Sequence, residues 1–258
     1  MSVIFYGIFF HAMGGLAAAS CFLPLKGMKR WSYQTYWLLF CFVAWLVMPI
    51  VVALVTVPNL FLVLSEVAGE TIWKTTLLGA LYGFGGMAFT LAITHIGFSL
   101  TYAIAIGLSA VIGTIIPAAV NGTLIESFSG FSGRLILIGS VVAILGVTVC
   151  GIAGALKDKA VSSTEGEKGL PLTLIAGVLA GVFGLSLSTG IEIDEIAASY
   201  GAGQYQSNAK YIFAMGGAFF TNLVWWSVVH IKRGTFKEYV DFSQGYSISR
   251  SIWVHYAL

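Results

Sequence analysis

His11 sits seven residues into an apolar run that opens near Ile4, and no other histidine or formally charged side chain lies so deep in such a run. At a helical rise, that is about 10 Å from the start of the segment. An imidazole has an unperturbed pKa of about 6.5, so modest changes in its surroundings add or remove a proton. At that depth it is either a proton-handling group or a neutral histidine bonded to a neighbouring helix. A second set offers hydroxyls, an amide and flat aromatic faces: Tyr82, Ser99, Thr101, Tyr102, Asn222, Trp225 and Trp226. Tyr and Trp join an apolar body to a polar tip, which suits a hydroxylated ligand with an apolar face. Asn222 is the most telling, because an amide in hydrocarbon surroundings requires a partner, either a ligand or another helix. Trp31, Trp37 and Trp73 stand near the ends of runs, where aromatics form an interfacial belt.

Covalent and metal chemistry find no support. Cys21, Cys41 and Cys150 are odd in number, lack CxxC or Cys/His spacing, and read as small core residues. No Asp or Glu lies inside an apolar run and no Ser–His spacing marks a nucleophile, so no catalytic residue and no metal site is expected. The proton is the only ion that needs a carrier, and no cofactor is called for.

The elements that must position these residues follow from composition. Of 258 residues, 58% are hydrophobic and only 9% charged, and mean hydropathy is +0.90. An ordinary soluble domain carries about a quarter charged residues. A lipid-facing surface resolves the mismatch, since apolar side chains then point outward. Seven runs, approximately 4–25, 36–57, 76–94, 99–119, 135–156, 170–189 and 211–230, have the length of about 20 apolar residues that a bilayer requires. All 13 basic and 11 acidic side chains fall outside them. The fold class is therefore an all-α, polytopic membrane bundle of seven full spans. An eighth run opens at Ser251 and reaches only Leu258, about 10 Å against a core about 30 Å thick, so a chain cut short is the expectation. A net charge of +2 gives no field for nucleic acid.

Loop charges set the orientation. Loops after the first, third, fifth and seventh runs carry Lys26, Lys29, Arg30, Lys157, Lys159, Lys168, Lys232, Arg233, Lys237 and Arg250, against Lys74, Arg134 and Lys210 in the others. The positive-inside rule then places the odd-numbered loops in the cytoplasm and the amino terminus outside. The first run has no Lys or Arg before Lys26, so it reads as a retained span rather than a cleaved signal, despite Ala18-Ala19-Ser20-Cys21. The outer loop Ile191–Lys210 holds Glu192, Asp194 and Glu195, a charge run that reads as a solvated surface or as a mouth that attracts protons. Asn121-Gly122 marks a turn. Gly79 with Gly83 and Gly177 with Gly181 are small-residue pairs that permit close helix packing. Pro24, Pro49 and Pro117 lie within runs and can kink them.

The text of the first and fourth runs is distinctive. Gly7-Ile8-Phe9-Phe10-His11, Ala17 through Phe22, Lys26 and Lys29-Arg30-Trp31-Ser32 resemble the start of the bacterial L-rhamnose–proton symporters. So do Gly97-Phe98-Ser99, Ile104-Ala105-Ile106-Gly107, Gly113-Thr114, Asn121-Gly122, Met215-Gly216-Gly217, Asn222-Leu223 and His255, in order along nearly the whole chain. The family belongs to the drug/metabolite transporter superfamily. The resemblance implies ten spans in two five-helix halves, inverted because five is odd, with 1–156 as the first repeat, 157–169 as a cytoplasmic linker and 170–258 as a partial second repeat. It implies proton-coupled uptake of L-rhamnose or a related deoxy-sugar across the inner membrane. His11 would be the proton-coupling candidate, with Tyr82, Ser99, Thr101, Tyr102, Asn222 and Trp226 as substrate-binding candidates. The implied partners are a sugar and the bilayer, and a homodimer is compatible with the pattern. Three features depart from the family: the third run is less polar around Gly86 and Ala88, no basic residue lies near Thr94, and Glu192 to Glu195 is more acidic. Those departures keep an exporter or exchanger of another metabolite as the alternative. A seven-span receptor also fits the topology, although 211–230 holds no lysine for a retinal Schiff base.

Overall fold

The computed structural model describes residues 2–20, 31–161 and 165–240; the expectations for Cys21, Pro24 and the run from Ser251 lie outside them. Every regular element among the described residues is helical: α1 Ser2–Ser20, α2 Tyr33–Thr56, α3 Leu60–Glu66, α4 Gly69–Ile96, α5 Phe98–Val120, α6 Gly130–Val161, α7 Glu165–Thr189, α8 Ile191–Ser199 and α9 Asn208–Arg233, with single turns at Leu124–Ser127, Gly203–Tyr205 and Phe236–Tyr239. Six stretches are long and apolar enough to cross a membrane: Tyr33–Thr56, Gly69–Ile96, Phe98–Val120, Gly130–Ala153, Gly169–Ser199 and Gly203–Arg233. These coincide with the second to seventh sequence runs. The first run forms α1, whose described apolar stretch, Phe5–Ala18, is shorter.

Local chemistry explains the breaks. Pro49 has no N–H to return to the carbonyl of Trp45, and just before it α2 widens into a π-helical segment, Phe42–Val47. There the Met48 N–H reaches back five residues to the Val43 carbonyl. Gly97, at φ +81°, stops α4 and starts α5 with no intervening loop, a backbone state that a side chain would strain. Asn121-Gly122 turns as expected, with Gly122 at φ +70°.

The chain divides into two units, Met1–Phe40 with Trp225–Leu258, and Cys41–Val224. In the second, α7 packs along α4 and α5, and α5 along α6. Glycine makes these approaches possible. A Cβ at Gly79 would lie 2.0 Å from the Ala214 carbonyl oxygen, and one at Gly217 would lie 2.0 Å from that of Thr76, so α4 and α9 cross almost backbone to backbone. Gly177 and Gly181 leave room for the side chains of Leu108 and Ile112 of α5. Both glycine pairs thus serve helix packing. The outside of this unit is apolar: Leu135, Ile138, Val142, Leu145 and Val149 form an exposed stripe along α6. A soluble helix would turn that stripe inward. Cys41 is buried, as a small core residue should be, whereas Cys150 is only half-buried on α6.

The first unit contains α1, the start of α2, the end of α9 and the turn Phe236–Tyr239. Every described side chain of α1 is exposed, including Phe5, Ile8, Phe10 and Leu16. The expectation of a tryptophan belt divides. Trp73 is exposed, but Trp37 is buried with Tyr33 and Phe40 rings 5.8 and 5.4 Å away, so it packs inside rather than facing an interface.

Candidate functional site

Two polar groupings inside the apolar frame are candidates for chemistry. The first begins on α8, where the sequence suggested a charged loop. The segment is helical because Ile193 and Ala197, four apart, share one face and join an apolar cluster with Ala53, Val57, Leu60 and Val63. Asp194 follows Ile193 and precedes Ala197 by three, so the same docking carries its carboxylate inward. Lys210, two residues into α9, meets it there. Its Nζ lies 2.5 Å from Asp194 Oδ2, and both side chains are only 10% exposed. The Ser207 hydroxyl donates to the same oxygen at 2.9 Å. Asp194 Oδ1 and Thr75 Oγ1 are buried without a hydrogen-bond partner among the described residues.

Gly190 makes room for this grouping: a Cβ there would stand 3.2 Å from that of Lys210 and 3.4 Å from Thr75 Oγ1. The Ser186 hydroxyl holds the Thr75 carbonyl at 2.8 Å. The charge run is thus a solvated surface only in part. Glu195 is exposed, and half-buried Glu192 accepts the Ala68 N–H at 3.1 Å and the Thr71 hydroxyl. Asp194 and Lys210 are the correction. The sequence signal that could have found them is helical periodicity through Ile193, Ile196 and Ala197.

The expected ligand-binding residues separate. Tyr82 centres a row of rings, 5.7 Å from Trp45 and 4.7 Å from Phe183, which lies 6.2 Å from Tyr211. Next to it, Asn222 is fully buried and donates from Nδ2 to the carbonyls of Gly83 at 3.3 Å and Ala218 at 3.0 Å. The Gly83 bond ties α9 to α4, while the Ala218 bond stays within α9. Ser99, Thr101 and Tyr102 lie at the start of α5, where Tyr102 stands level with Phe89, about 10 Å along α4 from Tyr82 at a helical rise. Ser99 is exposed, buried Thr101 donates to the Gly97 carbonyl at 2.7 Å, and Tyr102 packs against Phe98 and Phe89 at 5.2 and 6.2 Å. Trp226 is buried beside Tyr33, with rings 5.7 Å apart, while Trp225 is exposed.

The second grouping lies within the first unit. His230 is fully buried, with Nδ1 2.7 Å from Thr235 Oγ1, Nε2 3.2 Å from the Tyr239 hydroxyl and its ring stacked on Phe236 at 4.7 Å. Glu238 Oε2 accepts the Ser32 N–H at 2.8 Å, the Ser32 hydroxyl at 2.8 Å and the Thr35 hydroxyl at 2.6 Å, an anion at the amino end of α2. His230 stands at the edge of the last sequence run and was overlooked there. His11, singled out instead, is exposed on α1.

Glu238 yields a prediction. Burial pushes its carboxyl up, but the Thr35 and Ser32 hydrogen bonds and the charge of His230 outweigh burial and hold it below the ordinary value of 4.5. A depressed folded-state value means that the contribution is fully present above 4.5 and lost as pH falls through the folded value. Thermal unfolding in detergent from pH 6 to 3 should therefore show a stability loss that is smaller in Glu238→Gln. Equal acid sensitivity in both proteins would contradict this brace.

A bundle of membrane-length helices with an apolar exterior and buried polar pairs defines a multi-pass membrane protein. A model of the L-rhamnose-proton symport protein (RhaT) family matches residues 1–257, and the chain belongs to that family. It is 29% identical to the L-rhamnose-proton symporter of Escherichia coli K12 over all of its own length and 75% of that relative's. With the L-rhamnose-proton symporter of Shigella dysenteriae serotype 1 it shares 30% identity, over 94% of this chain and 72% of the relative. No solved structure matches.

Proposed function

We propose that the protein takes up L-rhamnose, or a closely related deoxy-sugar, together with a proton across the bacterial inner membrane. The observation that carries this reading is the family match through residues 1–257, and relatives named as L-rhamnose-proton symporters align along the entire chain. It is a transporter and not an enzyme. The exporter and receptor alternatives have no comparable support.

The orientation follows from loop charge, with the amino terminus outside and the Asp194 end of the bundle facing outward. The proposed architecture is one five-helix repeat over 1–156 and an inverted, partial second repeat over 170–258. One proton moving inward releases about 2.3 kcal/mol per 100 mV and about 1.4 kcal/mol per pH unit. Together, 100 mV and one pH unit sustain a roughly several-hundredfold sugar accumulation. The ring row around Tyr82, with Trp45 and Phe183, offers an apolar wall for the sugar's C–H face. Ser99, Thr101, Tyr102 and Asn222 are proposed as substrate-binding residues, as is Trp226 within its own unit. His11 is proposed as a relay that accepts a proton from the outside, on the strength of its depth in the first run.

Counterflow of labelled L-rhamnose in proteoliposomes tests the substrate, with unlabelled nucleotide-sugars and amino acids as competitors. Rhamnose should exchange and the others should not compete. His11→Ala should slow proton-driven uptake at least severalfold and change its pH profile. An unchanged rate and profile would remove His11 from the mechanism.

A further inference from the structure

We infer that Asp194 is the proton-binding group that couples transport, and that its ion pair with Lys210 is the contact a proton releases; this rests on the symport reading above. The pair joins α8 to the first turn of α9, and those elements must part if this end of the bundle is to open. Lys210 and Ser207 both bond Oδ2, leaving Oδ1 buried and unpartnered among the described residues. Buried acceptors are nearly always satisfied, so this vacancy asks for an explanation. A proton adding to Oδ1 displaces no existing bond, and it cancels the charge that holds Lys210. With the attraction gone, the buried ammonium is left uncompensated and moves toward water, which opens the contact. In the reverse direction, the Asp194–Lys210 contact re-forms only once the proton has left. Occupancy and opening are thereby linked, as a symporter requires.

No neighbouring group takes this role. On the same helix Glu195 is exposed, and Glu192 is engaged by the Ala68 N–H and the Thr71 hydroxyl. Glu66 of α3 accepts the Tyr200 hydroxyl. In the first turns of α4, Glu70 pairs with Lys74, both exposed. Tyr211 follows Lys210 on α9, Tyr205 is exposed, and α7 has no titratable side chain from Gly169 to Thr189.

The decisive variant removes both charges, Asp194→Asn with Lys210→Met, so that no lone buried ion destabilises the fold. In proteoliposomes it should retain L-rhamnose counterflow but lose at least tenfold in accumulation driven by a pH gradient, along with sugar-evoked proton uptake. Asp194→Glu with Lys210 intact should keep coupling with a displaced pH profile. Accumulation and proton uptake at the original level in the double variant would overturn the inference. So would loss of counterflow and accumulation together at an unchanged melting temperature, since that would place Asp194 in sugar binding. Should the unaltered chain fail to exchange rhamnose, the substrate reading falls, and amide exchange of residues 191–199 still tests the pair. Corrected for intrinsic rate, it should rise at least fivefold on acidification in the unaltered chain and stay constant in the double variant. Equal behaviour of the two would overturn the inference.

Discussion

Gly217→Ala is expected to lower the melting temperature of the detergent-purified chain by on the order of 10 °C, whereas Gly216→Ala should leave it nearly unchanged. The two residues are neighbours in α9 and share its helix propensity. They differ in what a methyl group would meet. At Gly216 there is nothing within 4 Å, but at Gly217 the new carbon would stand 2.0 Å from the Thr76 carbonyl oxygen and 2.9 Å from the Ala80 nitrogen. Both obstacles are backbone, so no rotamer change relieves them and the helices must separate. Overpacking in a tight core costs about 1–3 kcal/mol, and this site belongs at or above the upper end. Separation would also stretch the hydrogen bonds of Thr221 to Ala80, 3.0 Å, and of Asn222 to Gly83, 3.3 Å. Equal melting of the two alanine variants would mean that α4 and α9 do not cross this closely.

Lys210→Met is expected to destabilise the chain by about 3–5 kcal/mol, because it strands a buried carboxylate. Asp194→Asn alone should do comparable damage by stranding the ammonium. Together they should recover most of the loss, since replacing both members of a buried pair by neutral groups is often close to neutral. The double-mutant cycle in thermal unfolding measures that interaction directly. The geometry favours the large figure: the two side chains are only 10% exposed, and Asp194 Oδ1 has no hydrogen-bond partner among the described residues. A solvated pair would be worth only about 0–1 kcal/mol. Single variants within 0.5 kcal/mol of the unaltered chain, about the effect of an ordinary surface change, would mean that water reaches the pair.

Much of the frame was legible from the absence of charge in long apolar runs. Six of those runs reappear as membrane-length helices, and the small-residue pairs at Gly79 and Gly177 lie where helices touch. What escaped was polar structure at helix ends. A window drawn to exclude charges must place Asp194 and Lys210 in a loop, although Ile193 and Ala197 continue a helical face that buries the carboxylate between them. His230 was lost for the same reason, at the last position of a window, while its partners Thr235 and Tyr239 follow in what reads as loop. Aromatic residues were ambiguous from position alone. Trp37 and Trp73 both stand near helix ends, and only their neighbours decide that one is buried and the other exposed. Asn222 was correctly marked as needing a partner, but the choice between ligand and backbone depends on the approach of α4, which no single segment encodes.

The most direct measurement is the accumulation of L-rhamnose inside proteoliposomes carrying the unaltered chain, with an inward pH gradient and with that gradient collapsed by a protonophore. Internal sugar should rise well above the external concentration while the gradient stands, and fall back to equality when the protonophore is added. Sugar that merely equilibrates, or that accumulates equally well with the gradient collapsed, would contradict proton-coupled uptake.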